Sequence, residues 1–296
     1  MLAIVIPYYK SCFFKETLDS LLNQTNQQFK VYIGDDASPE NPDNLLDDFK
    51  GLLNFEYHRF ENNLGSQSLV SQWKRCINLI RDEDWIMILG DDDVLEENVV
   101  EAFYNNLDEI EQEKVDVIRF ATRIIDVNGQ YISDIYFHPK LEKAVDAFWR
   151  KFMGKTRSSL SEYIVKRKSL FKFGFREYPL AWHSDDMAWL EFSDFKRIYT
   201  INSAKLYIRL SEKSISGNKD NNYQKKTASK LFYYTISDKY ISYFSKTQRI
   251  KIIARVERDY FESKSFFMFL KIFKWHILKT DLLNLAKFFR RIYINR

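Results

Sequence analysis

Asp84-Trp85-Ile86-Met87-Ile88-Leu89-Gly90-Asp91-Asp92-Asp93 is the stretch on which the fold turns. Asp84–Leu89 (DWIMIL) is a short apolar run closed by a glycine, the pattern of a strand buried on both faces. Three adjacent carboxylates follow it at once. Upstream, Leu2–Pro7 (LAIVIP) is another such run, rich in β-branched residues and stopped by a proline. Phe13–Leu22 places Phe14, Leu18, Leu21 and Leu22 on one helical face. Phe29–Ile33 is a further strand, ending in Gly34-Asp35-Asp36, and Leu53–Phe60 and Ser68–Ile80 add a strand and a helix. Strand alternating with helix predicts an α/β fold, a mainly parallel central sheet flanked by helices with right-handed crossovers. Ligands of such sheets sit beyond the carboxyl ends of the strands, where both acidic clusters fall.

Downstream, Glu96–Asp108 reads as a helix, and Val115–Asp126 and Gln130–Phe137 flank Asn128-Gly129, a strong hairpin signal. From about Asn218 onward glycine and proline disappear and the text becomes a string of helices. The segment 211–221 is the expected flexible loop, so the chain divides into an α/β body over 1–217 and an α-helical C-terminal extension over 218–296.

At 296 residues and 45% hydrophobic content the chain has enough apolar material for a core, which excludes disorder. Cys12 and Cys76 form neither a metal-ligand spacing nor a disulfide framework. No basic leader and cleavage site precede the first apolar run. Nor does any stretch reach the roughly 18 uninterrupted apolar residues of a membrane span. The expected location is cytoplasmic. A net charge of +4 decides nothing about a polyanionic partner, and no nucleic acid is expected.

The carboxylates of Asp91, Asp92 and Asp93 repel one another, and a hard divalent cation resolves that repulsion. Mg2+ or Mn2+ at this position would bridge a diphosphate; the bland alternative is a solvated turn charging the next helix N-terminus. Asp35 and Asp36 can accept from a base N–H or a ribose hydroxyl. With Ser38 they can equally form a turn that caps the next helix, and on spacing alone the cap is the better reading. The run His183-Ser184-Asp185-Asp186 leads into an apparent helix over Met187–Ser193. A carboxylate there can deprotonate an acceptor hydroxyl, while Ser184 or Asp185 can serve as an N-cap. His183 can complete a metal site or simply pack.

Taken together, Ile4-Val5-Ile6-Pro7-Tyr8-Tyr9, Val31–Ser38 (VYIGDDAS), Asn63-Leu64-Gly65 and Trp85–Leu95 (WIMILGDDDVL) resemble a family 2 inverting glycosyltransferase of the GT-A, Rossmann-like nucleotide-sugar fold. The resemblance covers roughly residues 1–215, with a donor half about 1–110 and an acceptor half about 111–217. It implies a nucleotide-diphospho-sugar donor, a UDP-sugar in the first instance, and a glycan or lipid-linked acceptor in surface polysaccharide synthesis. Pro7 and Tyr8 would line the nucleotide pocket, and Asp36, with Asp35 beside it, would bind the base. Asp91–Asp93 would supply the Asp-x-Asp metal motif for Mn2+ or Mg2+. Gly90 stands where many relatives carry the first aspartate, so Asp93 is the firmest ligand and Asp91 and Asp92 share the rest. Asp186, with Asp185 as runner-up, would be the general base, overturning the cap reading, and Arg209 would lie in a mobile segment closing over the diphosphate.

Ser265–Ile294 interleaves aromatic and basic residues, which suits an anionic membrane surface at the inner face of the plasma membrane, packing on the catalytic domain, or oligomer contact. Competing readings are a catalytically inactive nucleotide-sugar binder or scaffold, and a nucleotidyltransferase. Ser11–Phe14 lacks the glycine-rich phosphate loop expected of a nucleotidyltransferase, and the same lack removes a dinucleotide oxidoreductase.

Overall fold

The Leu2–Pro7 run forms β1 (Leu2–Tyr8), paired in parallel with β2 (Phe29–Asp35) on one side and β4 (Trp85–Ile88) on the other. β3 (Phe55–Arg59) extends the parallel set beyond β2. Covered on both faces, β1 has no exposed residue from Leu2 to Ile6. Three helices join these strands: α1 (Phe14–Leu22), α2 (Asp43–Phe49) and α3 (Leu69–Ile77). α1 buries Phe14, Leu18 and Leu21 against the sheet, as their spacing predicts. Each such side chain contributes roughly 1.5–3 kcal/mol, so Leu18→Ala would break this contact. α3 presses on β2 so closely that a Cβ on Gly34 would lie 2.4 Å from Cys76 Sγ.

β5 (Val94–Leu95), α4 (Val99–Asn105), α5 (Leu107–Gln112), β6 (Val117–Ile125), β7 (Leu141–Lys143) and α6 (Ala144–Phe152) follow. β8 (Tyr163–Lys166), α7 (Arg167–Phe173), α8 (Ser184–Phe192) and β9 (Arg197–Arg209) complete the sheet region. The sheet order is β3-β2-β1-β4-β8-β6-β9-β5, with β7 also on β9. β8 enters antiparallel between β4 and β6, and only β6 and β9 are parallel in this half. The sheet is therefore mixed, nine-stranded and flanked by helices; its parallel character belongs to β1–β4.

The expected helix over 96–108 is two helices, α4 and α5. At Asn128-Gly129 the chain does reverse: Gly129 has φ +75°, and the Asp126 amide donates to Gln130 O at 2.9 Å. The returning arm pairs only through the bridges Ile125–Tyr131 and Thr122–Tyr136. Tyr131, Ile132 and Phe137 are more than half exposed, and only Tyr131, stacked on Tyr207 and under Arg123, packs back on the sheet.

The chain forms two compact units, Met1–Asn221 and Asn222–Arg296. The computed structural model describes residues 1–294 apart from Lys213 and Lys219. Those two, part of the loop expected at 211–221, and Arg296 of the basic tail thus lie outside the described residues. The second unit comprises α9 (Asn222–Thr235), α10 (Lys246–Ser263), α11 (Phe266–Lys279) and α12 (Leu282–Ile294). A capping box, Ser245 with Gln248, starts α10. Phe288 of α12 packs on Tyr260 of α10 and Phe269 of α11, and His276 meets Glu257 at 2.7 Å in the interior.

Candidate active site

The carboxyl ends of β1 and β4 lie side by side where the strand order reverses, the crevice that binds ligands in such sheets. The three aspartates after β4 divide their tasks there. Asp91 reaches across to the segment after β1: its Oδ2 accepts from the Tyr9 and Lys10 amides, each at 2.8 Å. Asp93 is buried and binds in two other directions. Its Oδ1 accepts from the Arg209 amide at 2.9 Å, and its Oδ2 from the Ser161 hydroxyl, which also accepts from the Gly90 amide at 3.0 Å. Asp92, half-buried, accepts no hydrogen bond at its carboxylate among the described residues.

Gly90 is what lets these groups converge. Its backbone is not left-handed, so what matters is space. A Cβ there would sit 3.1 Å from both Asp92 Oδ1 and Asp93 Oδ2. Electrostatics match that crowding. Burial, then the charges of Asp93 and Asp91, push the Asp92 carboxyl up to about 8. Burial also raises Asp91 against the Tyr9 and Lys10 amides, and Asp93 against Ser161 and the Arg209 amide. Carboxyls so raised hold a proton or a cation. The cradle left open by Gly90, ringed by hard oxygen donors, fits a small divalent cation. Among the described residues no three His, Cys, Asp or Glu side chains are grouped as a ready-made metal site, so phosphate oxygens and water would complete the shell.

Asp35 and Asp36, at the end of β2, are buried and engaged. Asp35 Oδ1 accepts from the Ser38 amide at 2.7 Å, forming the turn that the sequence suggests. Its Oδ2 takes Tyr57 and Arg59, both at 2.6 Å. It caps no helix, because α2 begins only at Asp43. Asp36 holds the Asn63-Leu64-Gly65 loop, accepting from the Leu64 amide at 2.7 Å, the Gly65 amide at 2.8 Å and the Arg75 guanidinium. Pro7 is half-buried; the Tyr8 ring lies in the core beside Phe14, and its carbonyl is taken by the Asp36 amide at 3.0 Å.

Arg209, expected in a closing segment, is buried at the end of β9. Its side chain is 0% exposed and spends its guanidinium on Asp92 O and Asp126 O, both at 3.0 Å, and on Glu16, while covering the Phe13 ring. A cation so committed ties the β4 loop to α1 and to the end of β6. His183 Nδ1 lies 2.7 Å from Asp186 Oδ2, in the acidic pair of α8.

α8 begins at Ser184 with no side-chain cap, and the buried Ser184 hydroxyl has no partner among the described residues. The N-cap reading of Ser184 or Asp185 is thereby corrected. Leu180, Ala181 and His183, just before the helix, all have positive φ. Each costs roughly 1–2 kcal/mol, a concentration of strain typical of functional sites. Trp189 stacks on Tyr163 of β8 at 3.9 Å between ring centres, which fixes the helix. Asp186 is buried, with Lys151 Nζ of α6 2.5 Å from its Oδ1. Burial opposes its charge, but Lys151 and His183 outweigh burial and hold its carboxyl well below the usual range. Asp185 is half-buried, and burial and the charge of Asp186 push it up.

Lys151 and Ser161 escaped the sequence reading. Each is a single residue without periodicity, paired to a carboxylate far along the chain, and no local pattern signals it. Behind Lys151 and Asp186 a small cavity is lined by Arg119 and Arg157. Arg119 pairs with Glu142 at 3.0 Å, and Arg157 with Glu162 at 2.9 Å.

Against known proteins, this chain is similar to solved structures of S. aureus TarS. Residues 1–349 of TarS in complex with UDP-GlcNAc superpose with a TM-score of 0.64 at 16% identity, over 88% of this chain and 72% of that one. The complex with UDP gives 0.61, at the same identity and coverage. Glycosyltransferase GlyG of Streptococcus pneumoniae serotype 4 is 26% identical over 110 residues, 37% of this chain and 36% of that protein. The match thus spans about a third of that curated relative's length. The pattern of glycosyl transferase family 2 covers residues 3–179, from β1 through both acidic strand ends to the edge of α8. The chain belongs to glycosyl transferase family 2.

Proposed function

We propose that the chain transfers a sugar from a nucleotide-diphospho-sugar, with UDP as the nucleotide, to a hydroxyl of a glycan or lipid-linked acceptor, inverting the anomeric configuration. The observation that carries this reading is the meeting of Asp92 and Asp93 at the Gly90 cradle, in the crevice between β1 and β4. Asp92 and Asp93 would hold Mn2+ or Mg2+, which when bound offsets the charge of a departing diphosphate. Asp91 orders the Tyr9-Lys10 backbone beside that position. Asp35 and Asp36 shape the base pocket by fixing the 36–38 turn and the Asn63–Gly65 loop. The UDP and UDP-GlcNAc complexes of TarS support the choice of donor.

On the acceptor side, Asp186 takes the hydroxyl proton as the new bond to the anomeric carbon forms and the bond to the diphosphate breaks. The proton ends on the carboxylate and the electron pair leaves with the nucleoside diphosphate. A second reading gives the proton to Asp185, because it is the more exposed of the two and its raised carboxyl is the stronger base. The location that suits both is the cytoplasm, at the inner face of the plasma membrane, in surface polysaccharide synthesis. UDP release from a panel of UDP-sugars with Mn2+ tests the reading. Turnover should be detectable, fall at least about a hundredfold in Asp92→Ala, and fall comparably in whichever of Asp185→Asn and Asp186→Asn removes the base. Thermal stabilisation by a UDP-sugar without any UDP release, with acceptors supplied, would mark an inactive binder and overturn it.

A further inference from the structure

The second unit lies outside the span matched by the family pattern and carries an unusual surface. In α11 the exposed residues are Phe266, Phe267, Leu270, Lys274, Ile277 and Leu278. At about 100° per residue they fall within one arc of roughly 120°. Ile272, Trp275 and His276 fill the opposite, buried side. α11 thus carries large apolar side chains on its solvent face as well as on its buried one. α12 repeats the pattern with Leu282, Leu283, Tyr293 and Ile294 exposed, and Lys287 and Arg290 among them. Phe289 touches Phe269 and Phe273 across the seam, so the two exposed arcs adjoin.

We propose that the adjoining outer faces of α11 and α12 dock on an anionic lipid surface. Charge selects that occupant. Lys274, Lys287 and Arg290 have no acidic partner among the described residues, and no acid lies on either arc. Asp281, the one acid between Lys264 and Ile294, is taken by Lys246 at 3.0 Å. Lys271 and Arg291 are committed to Asp238 and Glu257 and are not counted. A second copy of the same face would bring lysines and arginines against lysines and arginines, whereas anionic headgroups meet both faces favourably. The helices are 14 and 13 residues long, and no helix among the described residues is long and apolar enough to cross a membrane. They lie in the interface, phenylalanines and leucines in the acyl boundary and cations among the headgroups.

This surface stands independently of the transferase reading, and its test uses neither nucleotide nor acceptor. The full chain is floated with phosphatidylcholine vesicles and with vesicles of phosphatidylcholine mixed with phosphatidylglycerol. It should partition onto the second and not the first, and high salt should weaken it. Lys274→Glu with Arg290→Glu should lower partitioning at least about tenfold, and Phe266→Ser with Leu270→Ser should do likewise. All four positions are exposed, so helical circular dichroism and melting temperature should stay at parent values. Equal partitioning of parent and folded variants overturns the proposal, as does a parent that ignores both vesicles. A dimeric parent that binds neither vesicle and becomes monomeric in the variants also overturns it and makes the face a contact between copies.

Discussion

The acidic runs at Asp91–Asp93 and Asp185-Asp186 look alike in the sequence, and the fold gives them opposite electrostatics. The first run follows a strand and is tied by backbone amides and a serine hydroxyl, with no lysine or arginine side chain bonded to its carboxylates among the described residues. Its carboxyls are raised, Asp92 to about 8. The second run opens a helix and contains its own cation, Lys151, against Asp186, which is held low. Under the proposed function, the cluster without a bonded cation would receive one, whereas the pair that has one keeps Asp186 ionised. Identical letters thus acquire opposite electrostatics only through what surrounds them.

Lys151→Met tests the difference most severely. It leaves the buried Asp186 carboxylate with His183 alone. Breaking such a pair should cost about 2–3 kcal/mol of stability at neutral pH, somewhat below the range for a fully buried pair because Lys151 is 28% exposed. The pH dependence follows from the sign of the shift. The folded Asp186 lies below its unfolded value of roughly 4, so its stabilisation is complete above pH ~4 and fades as pH falls through the folded value. Parent and variant urea midpoints should be furthest apart near neutrality and converge in acid. Parallel curves would show that the pair does not carry the stability assigned to it, and the contrast between the two runs would collapse.

Gly90→Ala addresses the donor side. The new Cβ meets oxygens of both Asp92 and Asp93 at 3.1 Å. Asp92 can rotate away, but Asp93 is held by Ser161 and the Arg209 amide. The fold should lose less than about 1 kcal/mol, since the glycine is not in a left-handed conformation. Stabilisation by UDP with Mn2+ should need about tenfold more ligand, equivalent to roughly 1.4 kcal/mol. An unchanged midpoint of the UDP–Mn2+ titration would remove the cradle from the site.

Local pattern placed these acids at element ends, DWIMIL and VYIGDD as buried strands and MAWLEF as a buried helix, while the roles of Asp35, Asp36, Asp185 and Asp186 came only from the family resemblance. Local pattern also reached the parallel β1–β4 half. It missed the insertion of β8, only four residues long, between β4 and β6, since strand order is decided by packing that no local period records. The partners of Arg209, a residue placed in a closing segment by resemblance alone, were not legible locally either. The carbonyls of Asp92 and Asp126 that capture it lie more than eighty residues away. The hairpin shows the converse: Asn128-Gly129 specifies the reversal locally, but the returning arm leaves Tyr131, Ile132 and Phe137 largely exposed and is held by bridges and by Tyr131 on Tyr207 and Arg123.

Ser161→Ala is the mildest probe and the most discriminating. Ser161 is buried, donates to Asp93 Oδ2 and accepts from the Gly90 amide at 3.0 Å, joining the start of the acidic loop to its last carboxylate. Its removal leaves one amide and one carboxylate oxygen short of a partner, which should cost about 1 kcal/mol. Because Asp93 keeps the Arg209 amide, UDP–Mn2+ stabilisation should weaken only about threefold, less than in Gly90→Ala. The convergence of stability curves in acid, which reports on Asp186 and Lys151, should be unaffected. If Ser161→Ala alters the acid limb as much as the UDP–Mn2+ response, the two acidic runs form one coupled cluster, and the division into a cation-seeking donor side and a self-neutralised acceptor side is wrong.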